Sequence, residues 1–235
     1  MLDPLPENFG DTRAAMHALA EHVIAPARYR AEGRIGLIPT AGGFGTPAFG
    51  DGERVRVDGV ELIHERPGTT TRIGITTLHD AAAFIGIPLG APTDVYKPAT
   101  AALPEVALAV DATAAKALAD WYALGAAILD KVLETYSAYE PTALTLWPEH
   151  FDVAASLGDE QGGTRANYGA SPGDTSIAEP YLYVGPWDQA RRSGMFAEHA
   201  WGASITYSEL AEASDVRARG VDFMLECAAL LVGQP

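Results

Sequence analysis

Apolar residues recur at three- and four-residue spacings in several stretches of the chain, and each such stretch predicts a helix with one buried face. In residues 11–31, Ala15, Met16, Leu19, Ala20 and Val23 fall on one side, with Asp11 or Thr12 available as a cap. Pro26 is expected to end or kink this helix, because it lacks an amide hydrogen and its ring crowds the preceding turn. In TTLHDAAAFIGI, Leu78, Ala81, Ala82 and Ile85 share a side. The longest helix runs from about Asp111 to Tyr136. Leu118, Trp121, Tyr122, Ile128, Leu129, Val132, Leu133 and Tyr136 form its apolar stripe, and Asp120, Asp130, Lys131 and Glu134 its wet side. A last helix runs from about Asp215 through Leu231 and stops at Gly233.

Between the helices the period changes to two. RIGLIPT, ERVRVDG, VELIHE and TRIGIT read as strands in the first half, with Val55 and Val57 opposing Arg54 and Arg56 and a turn at Asp58-Gly59. After Pro141 come ALTLW, FDVAASL, RANYGAS, PYLYVG and GASITYS. Residues 87–110 are rich in proline and read as loop. The pattern predicts an α+β fold of mainly antiparallel sheets with N-terminal, long central and C-terminal helices. The expected organisation is one compact domain over 1–235, or two packed halves of about 1–100 and 101–235. Each half reads helix, strands, helix, although no residue-level repeat joins them.

Composition narrows the partners. With 31 acidic against 16 basic residues, the net charge is −15, and no basic stripe exists to displace counterions from nucleic acid. Nucleic acid and anionic membrane are therefore not expected as partners. No apolar run approaches the roughly 18 residues of a membrane span. The opening MLDPLPENFGDT lacks the basic and apolar regions of a signal peptide, so a cytoplasmic location is expected. The lone cysteine, Cys227, lies on the apolar stripe of the last helix and reads as a small buried hydrophobe.

Few motifs carry chemistry. TAGGFGTPAFGDG lacks the Gly-Lys-Ser/Thr of a phosphate loop and the helix that would follow it, so a tight connection with Phe44 and Phe49 packing is the expectation. His17, Glu21 and His22 do not have zincin spacing, and His17 with Glu21 reads as a solvated pair. Gly169-Ala170-Ser171-Pro172-Gly173 fits the G-x-S-x-G of a nucleophile elbow, but Pro172 has no N–H to offer an oxyanion and a strand follows in place of a helix. Ser171-Pro172-Gly173-Asp174 instead matches a type II turn.

Chemistry is denser in Leu146-Trp147-Pro148-Glu149-His150-Phe151-Asp152. If the chain is extended from His150 onward, His150 and Asp152 share a face, and Asp152 can orient the imidazole as a general base. The pair can equally be structural, or two ligands of a metal site completed by Glu149, Asp174 or Glu179. Tyr181 and Tyr183 alternate with Leu182 and Val184 and can line a polar pocket.

LWPEHFDVA, NYGASPGD, EPYLYV and SITYSEL, in that order after Pro104-Glu105-Val106 and a long helix bearing Trp121-Tyr122, resemble a family of uncharacterised bacterial proteins. That family has a W-x-x-H/S-F-D-x-A segment, a G-x-x-P-G turn and a Tyr-rich strand. In the first half, GRIGL and LHDAAAFIGI look like its corresponding strand and helix, and the likeness spans about Ala20 to Leu231. It implies one continuous α+β unit and no particular activity. Residue by residue it points to Trp147, His150, Phe151, Asp152, Gly169, Pro172, Gly173 and Tyr183. The chain departs from the family at Asn167-Tyr168 and Ala170-Ser171.

Together these residues predict a small-molecule pocket. His150 and Asp152 are its candidate catalytic pair, and Trp147, Glu149, Asn167, Tyr168, Ser171, Asp174, Tyr181 and Tyr183 its candidate ligand-binding residues. No metal and no particular cofactor is assigned, and whether a reaction occurs is left open. The alternative is a non-enzymatic interaction or structural protein in which the same motifs only hold turns and strand register. Oligomeric state is not legible.

Overall fold

The computed structural model describes residues 2–234. The chain forms an α+β fold with two five-stranded antiparallel sheets. Two compact units are present. The N-terminal unit comprises residues 5–123 together with 146–151, and the C-terminal unit comprises 124–145 and 152–235 with the chain up to Pro4. The boundary falls inside the long helix.

The N-terminal unit begins with helix α1 (Phe9–Leu19), which passes through a π-helical turn at Ala20–Ile24 into α2 (Ala25–Glu32). Pro26 therefore neither ends nor sharply interrupts the helical run. It follows the π-helical turn directly, as the second residue of α2. The carbonyl four residues back, on His22, instead accepts from the amide of Gly90 at 3.1 Å. The widened turn before the proline is how the helix absorbs it.

Strands β1 (Ile38–Thr40), β2 (Gly43–Gly45), β3 (Arg54–Asp58), β4 (Glu61–Arg66) and β5 (Thr69–Gly74) follow in sheet order. The predicted alternation in β3 holds, with Val55 and Val57 buried. The glycine-rich stretch serves packing. Phe44 and Phe49 are buried, and a side chain at Gly45 would meet Arg56 and the Val55 carbonyl at 2.4–2.7 Å. Helix α3 (Leu78–Ile85) is capped by Thr77 and buries Leu78, Ala81, Ala82 and Ile85, as the spacing predicts.

Residues 87–111 have no regular secondary structure before α4 (Ala112–Thr135), whose first turn is capped by the Asp111 carboxylate at 2.9 Å from the amides of Thr113 and Ala114. The C-terminal unit then carries β7 (Asp152–Leu157), β8 (Ala166–Ser171), β9 (Tyr181–Pro186) and β10 (Ala203–Thr206), each antiparallel to the next, in a sheet whose fifth strand is β6 (Thr145–Trp147). Helices α5 (Tyr207–Ala211) and α6 (Val216–Val232) close the chain.

Period-two alternation divides the strands of this meander into two faces. Val153, Ala155, Leu157, Ala166, Tyr168, Ala170, Leu182, Val184, Ala203 and Ile205 point to one and are buried. Against that face α6 comes close enough that a side chain at Gly220 would meet Ile128 and Leu182 at 2.6–2.9 Å. Cys227 lies buried on the inner stripe of α6, and burial pushes its thiol up to about 12, in keeping with an inert hydrophobe. No helix among the described residues is long and apolar enough to cross a membrane.

Candidate functional site

The other face of the meander is polar. Register sets Asn167 beside Ser156 and Gly185, Gly169 beside Ala154 and Tyr183, and Ser171 beside Tyr181. Tyr183 and Tyr181 stand in turn beside Ser204 and Thr206. Asp152 lies two residues before Ala154 and shares the face. Five residues expected at the site, Asp152, Asn167, Ser171, Tyr181 and Tyr183, are thus brought onto one surface of one sheet.

Asp152 is only 4 % exposed and accepts a short hydrogen bond from the Tyr183 hydroxyl. Burial first, and then the negative charge of Asp152, hold that hydroxyl well above the usual tyrosine range. Tyr183 consequently remains a proton donor at any physiological pH. Tyr181 donates to Asp174 Oδ2 at 2.6 Å, and burial together with this bond raises its pKa as well. The Tyr183 ring lies over Gly169, where an added Cβ would sit 2.3–2.6 Å from Cε1, Cζ and the hydroxyl oxygen. Only glycine allows that approach. The G of the G-x-S-x-G match is required by the tyrosine across the strand.

His199 and Trp201 were not among the residues expected at the site. In the structure Trp201 stacks on His199 at 4.5 Å and on Tyr181 at 5.8 Å, and meets Tyr183 edge-on at 5.8 Å. His199 Nε2 is 2.9 Å from the Ser204 hydroxyl. The available signal was the alternation in GASITYS, which puts Ser204 and Thr206 on the tyrosine side once β10 is paired with β9.

At the far end of this face the groups are tied to one another. Trp187 Nε1 donates to Asn167 Oδ1 at 2.8 Å. Arg165 donates to Ser156 Oγ and the Gly158 carbonyl and lies over the Trp187 ring.

Ser171 is the last residue of β8, and no helix follows it. Gly173 takes φ +96°, as position i+2 of a type II turn requires, but its N–H donates to Ser171 Oγ, while Asp174 N–H goes to the Ile177 carbonyl. Ser171 is a turn-holding hydroxyl. Asp174 caps the next turn through the amides of Ser176 and Ile177.

Other expected positions fall elsewhere. Tyr168 does not line the polar face: period-two alternation sends it into the core, buried beside Cys227 and Tyr136, with a hydroxyl that has no hydrogen-bond partner among the described residues. Trp147, Glu149 and His150 belong to the N-terminal unit. Trp147 is 38 % exposed, and His150 is exposed in a turn closed by Phe151 N–H on the Trp147 carbonyl at 2.7 Å.

Phe151 takes φ +55° and β7 starts only at Asp152, so the extended alternation expected from His150 onward begins two residues later and does not include His150. The left-handed backbone at Phe151 is held by its own burial. Its ring stacks on His17 at 4.9 Å, meets Phe44 and Tyr122 edge-on, and its carbonyl accepts from the Tyr122 hydroxyl at 2.7 Å.

His17 and Glu21 are not a solvated pair. Glu21 is fully buried in the π-helical turn and accepts from the amides of Ala99 and Thr100 at 2.9 and 2.7 Å and from the Thr100 hydroxyl. His22 Nε2 is 3.1 Å from the carbonyl of the same Thr100. The two side chains pin the irregular 87–111 segment to the helix. His17 Nε2 donates to the Pro148 carbonyl at 2.9 Å, and burial, outweighing the nearby Glu21, lowers its pKa.

Among the described residues no three His, Cys, Asp or Glu side chains are grouped to hold a metal ion. Comparison with protein-family models, with curated proteins and with solved structures gave no match.

Proposed function

We propose that the protein binds a small polar molecule on the polar face of its second sheet, with Asp152 as the anchoring group and Tyr181, Tyr183 and Trp201 around it. The observation that carries this reading is Asp152 itself, an acidic side chain buried on a sheet face. Burying a carboxylate is costly even when it is hydrogen-bonded, and a face that served packing alone is more stable when apolar. The opposite face of the same four strands is built in that apolar way.

Pocket sites combine aromatic walls with a few convergent polar groups, and this face has both. Binding does not require a reaction. A general base at His150 is not part of the reading, because the chain turns between His150 and the strand.

The competing reading is structural. The Tyr183–Asp152, Tyr181–Asp174 and Gly173–Ser171 bonds are all internal and can serve only to fix register and turn. Affinity measurements on Asp152→Asn and Tyr183→Phe separate the two. A fragment library is screened by ligand-observed NMR, and melting temperatures show which variants remain folded. A binding role predicts fragments whose affinity falls about tenfold or more in a folded variant. If the variants only melt earlier and no fragment distinguishes them from wild type, the structural reading stands.

A further inference from the structure

Where α4 and α6 end in the C-terminal unit, the chain surrounds an open cavity of about 420 Å³. Thr135 and Tyr136 line it from the end of α4, and Leu225, Glu226, Ala229 and Leu230 from α6, with Gln234 just beyond. The volume lies within the range of roughly 300–1,000 Å³ in which small-molecule sites fall. Leu230 is 59 % exposed, more than any other large apolar side chain among the described residues, and here it forms part of a wall. With Leu225 and Ala229 it offers a hydrocarbon body a place to leave water.

The charge around the cavity is negative. The Glu226 carboxylate has no ion pair and no hydrogen bond among the described residues. Burial first, and then the charge of Glu226, push the neighbouring Cys227 thiol up to about 12. A helix also carries partial negative charge at its C-terminus, and two such ends meet here. Neither helix has a basic residue in its last turn. On the preceding turns, Lys131 is paired with Glu134 at 2.9 Å, and Arg219 lies about two helical turns before Glu226.

The hydroxyls at the cavity are not free donors for an anion. Tyr136 donates to the Gly233 carbonyl at 3.3 Å and Thr135 to the Lys131 carbonyl at 2.8 Å. A carboxylate or phosphate ligand would therefore meet Glu226 and two helix ends without a cation to offset them.

We propose that this cavity takes a small amphiphilic amine, its hydrocarbon body against Leu225, Ala229 and Leu230 and its ammonium at the Glu226 carboxylate. The cavity and the polar sheet face share no residue, so either can bind without the other. Charge sets the order of preference among ligands of one shape, and the apolar wall sets the affinity common to them.

Hexylamine, 1-hexanol and hexanoate have one hydrocarbon body and differ in charge. Each is titrated at pH 7 and low salt, with binding read by protein-observed NMR. The amine should bind about fivefold tighter than the alcohol, and the carboxylate more weakly than either. Its shifts should centre on Leu225, Glu226, Ala229 and Leu230. Glu226→Gln should weaken the amine about threefold and leave the alcohol unchanged. Sodium chloride at about 0.5 M should do the same, because the pair is exposed to screening. Leu230→Ser should weaken amine and alcohol alike, and it tests the cavity if Glu226→Gln does not fold.

An alcohol as tight as the amine, a carboxylate tighter than either, or an amine indifferent to a folded Glu226→Gln variant would overturn the proposal. So would the absence of binding by all three probes. Shifts confined to Asp152, Gly169 and Tyr183 would also overturn it, while leaving the reading of the polar sheet face in place.

Discussion

At the residue scale, Tyr183 is the side chain on which most depends. Replacing it with Phe removes one donor from the buried Asp152, and losing a hydrogen bond to a charged group costs about 1.5–3 kcal/mol, to be measured by urea unfolding. Combined with Asp152→Asn, the effects should be non-additive by about 1 kcal/mol, since the two groups share one interaction. Gly169→Ala should be as harmful, because the new methyl occupies the place of the Tyr183 ring. A near-UV circular dichroism change should accompany it.

His17 supplies a pH dependence. Its folded pKa is lowered below the ordinary 6.5, so as pH falls from that value the unfolded chain takes up a proton that the folded protein refuses. This contribution to stability is fully present above 6.5 and is lost as pH falls toward the folded value. Unfolding measured at pH 7 and pH 5 should show a smaller acid loss in His17→Gln than in wild type. The sequence hid these roles in different ways. Tyr183 was legible as a polar-face residue from alternation alone. Gly169 was visible only as part of a hydrolase-like pattern, because a close approach across strands leaves no trace in local spacing.

At the scale of elements, period decided what could be read. The helices at 78–85, 112–135 and 216–232 and the strands after Pro141 match their apolar spacing because each buries one face. Two errors share a cause, which is that tertiary contacts overrode a local rule. Pro26 was expected to end or kink its helix, but a π-helical turn accommodates it, and Gly90 takes up the carbonyl left free. His150 was expected on a strand face, but burial of Phe151 among His17, Phe44 and Tyr122 selects a left-handed residue that starts the strand later. Neither compensating group is near in sequence.

The π-helical turn makes its own prediction. Glu21 is the group that holds Ala99 and Thr100, and Glu21→Gln exchanges a charge-assisted acceptor for a neutral one. Amide hydrogen exchange at Ala99 and Thr100 should accelerate about tenfold, while exchange in β3 and β4 stays unchanged. Equal protection in the variant would mean that the segment is held by other contacts.

For the molecule as a whole, charge and composition describe a strongly acidic chain of −15 with enough apolar residues for its cores. Self-repulsion at that charge opposes the compact state, so added sodium chloride should raise the melting temperature by a few degrees, roughly as screening sets in near 0.1 M. The fold class was legible because alternating and helical periods segregate along the chain. Two halves were among the expected readings, but the place of the division was not legible, since it falls inside a single long helix and returns 146–151 to the N-terminal unit.

The proposed binding of a small molecule on the polar face of the second sheet depends on Asp152, Tyr183 and Trp201. The most direct measurement is protein-observed NMR on wild type with the tightest fragment found by screening. Shifts confined to Asp152, Gly169, Tyr181, Tyr183 and Trp201, saturating with one affinity and absent in Tyr183→Phe, are the expected result. Shifts that map elsewhere, or that persist unchanged in the folded Tyr183→Phe variant, would contradict it.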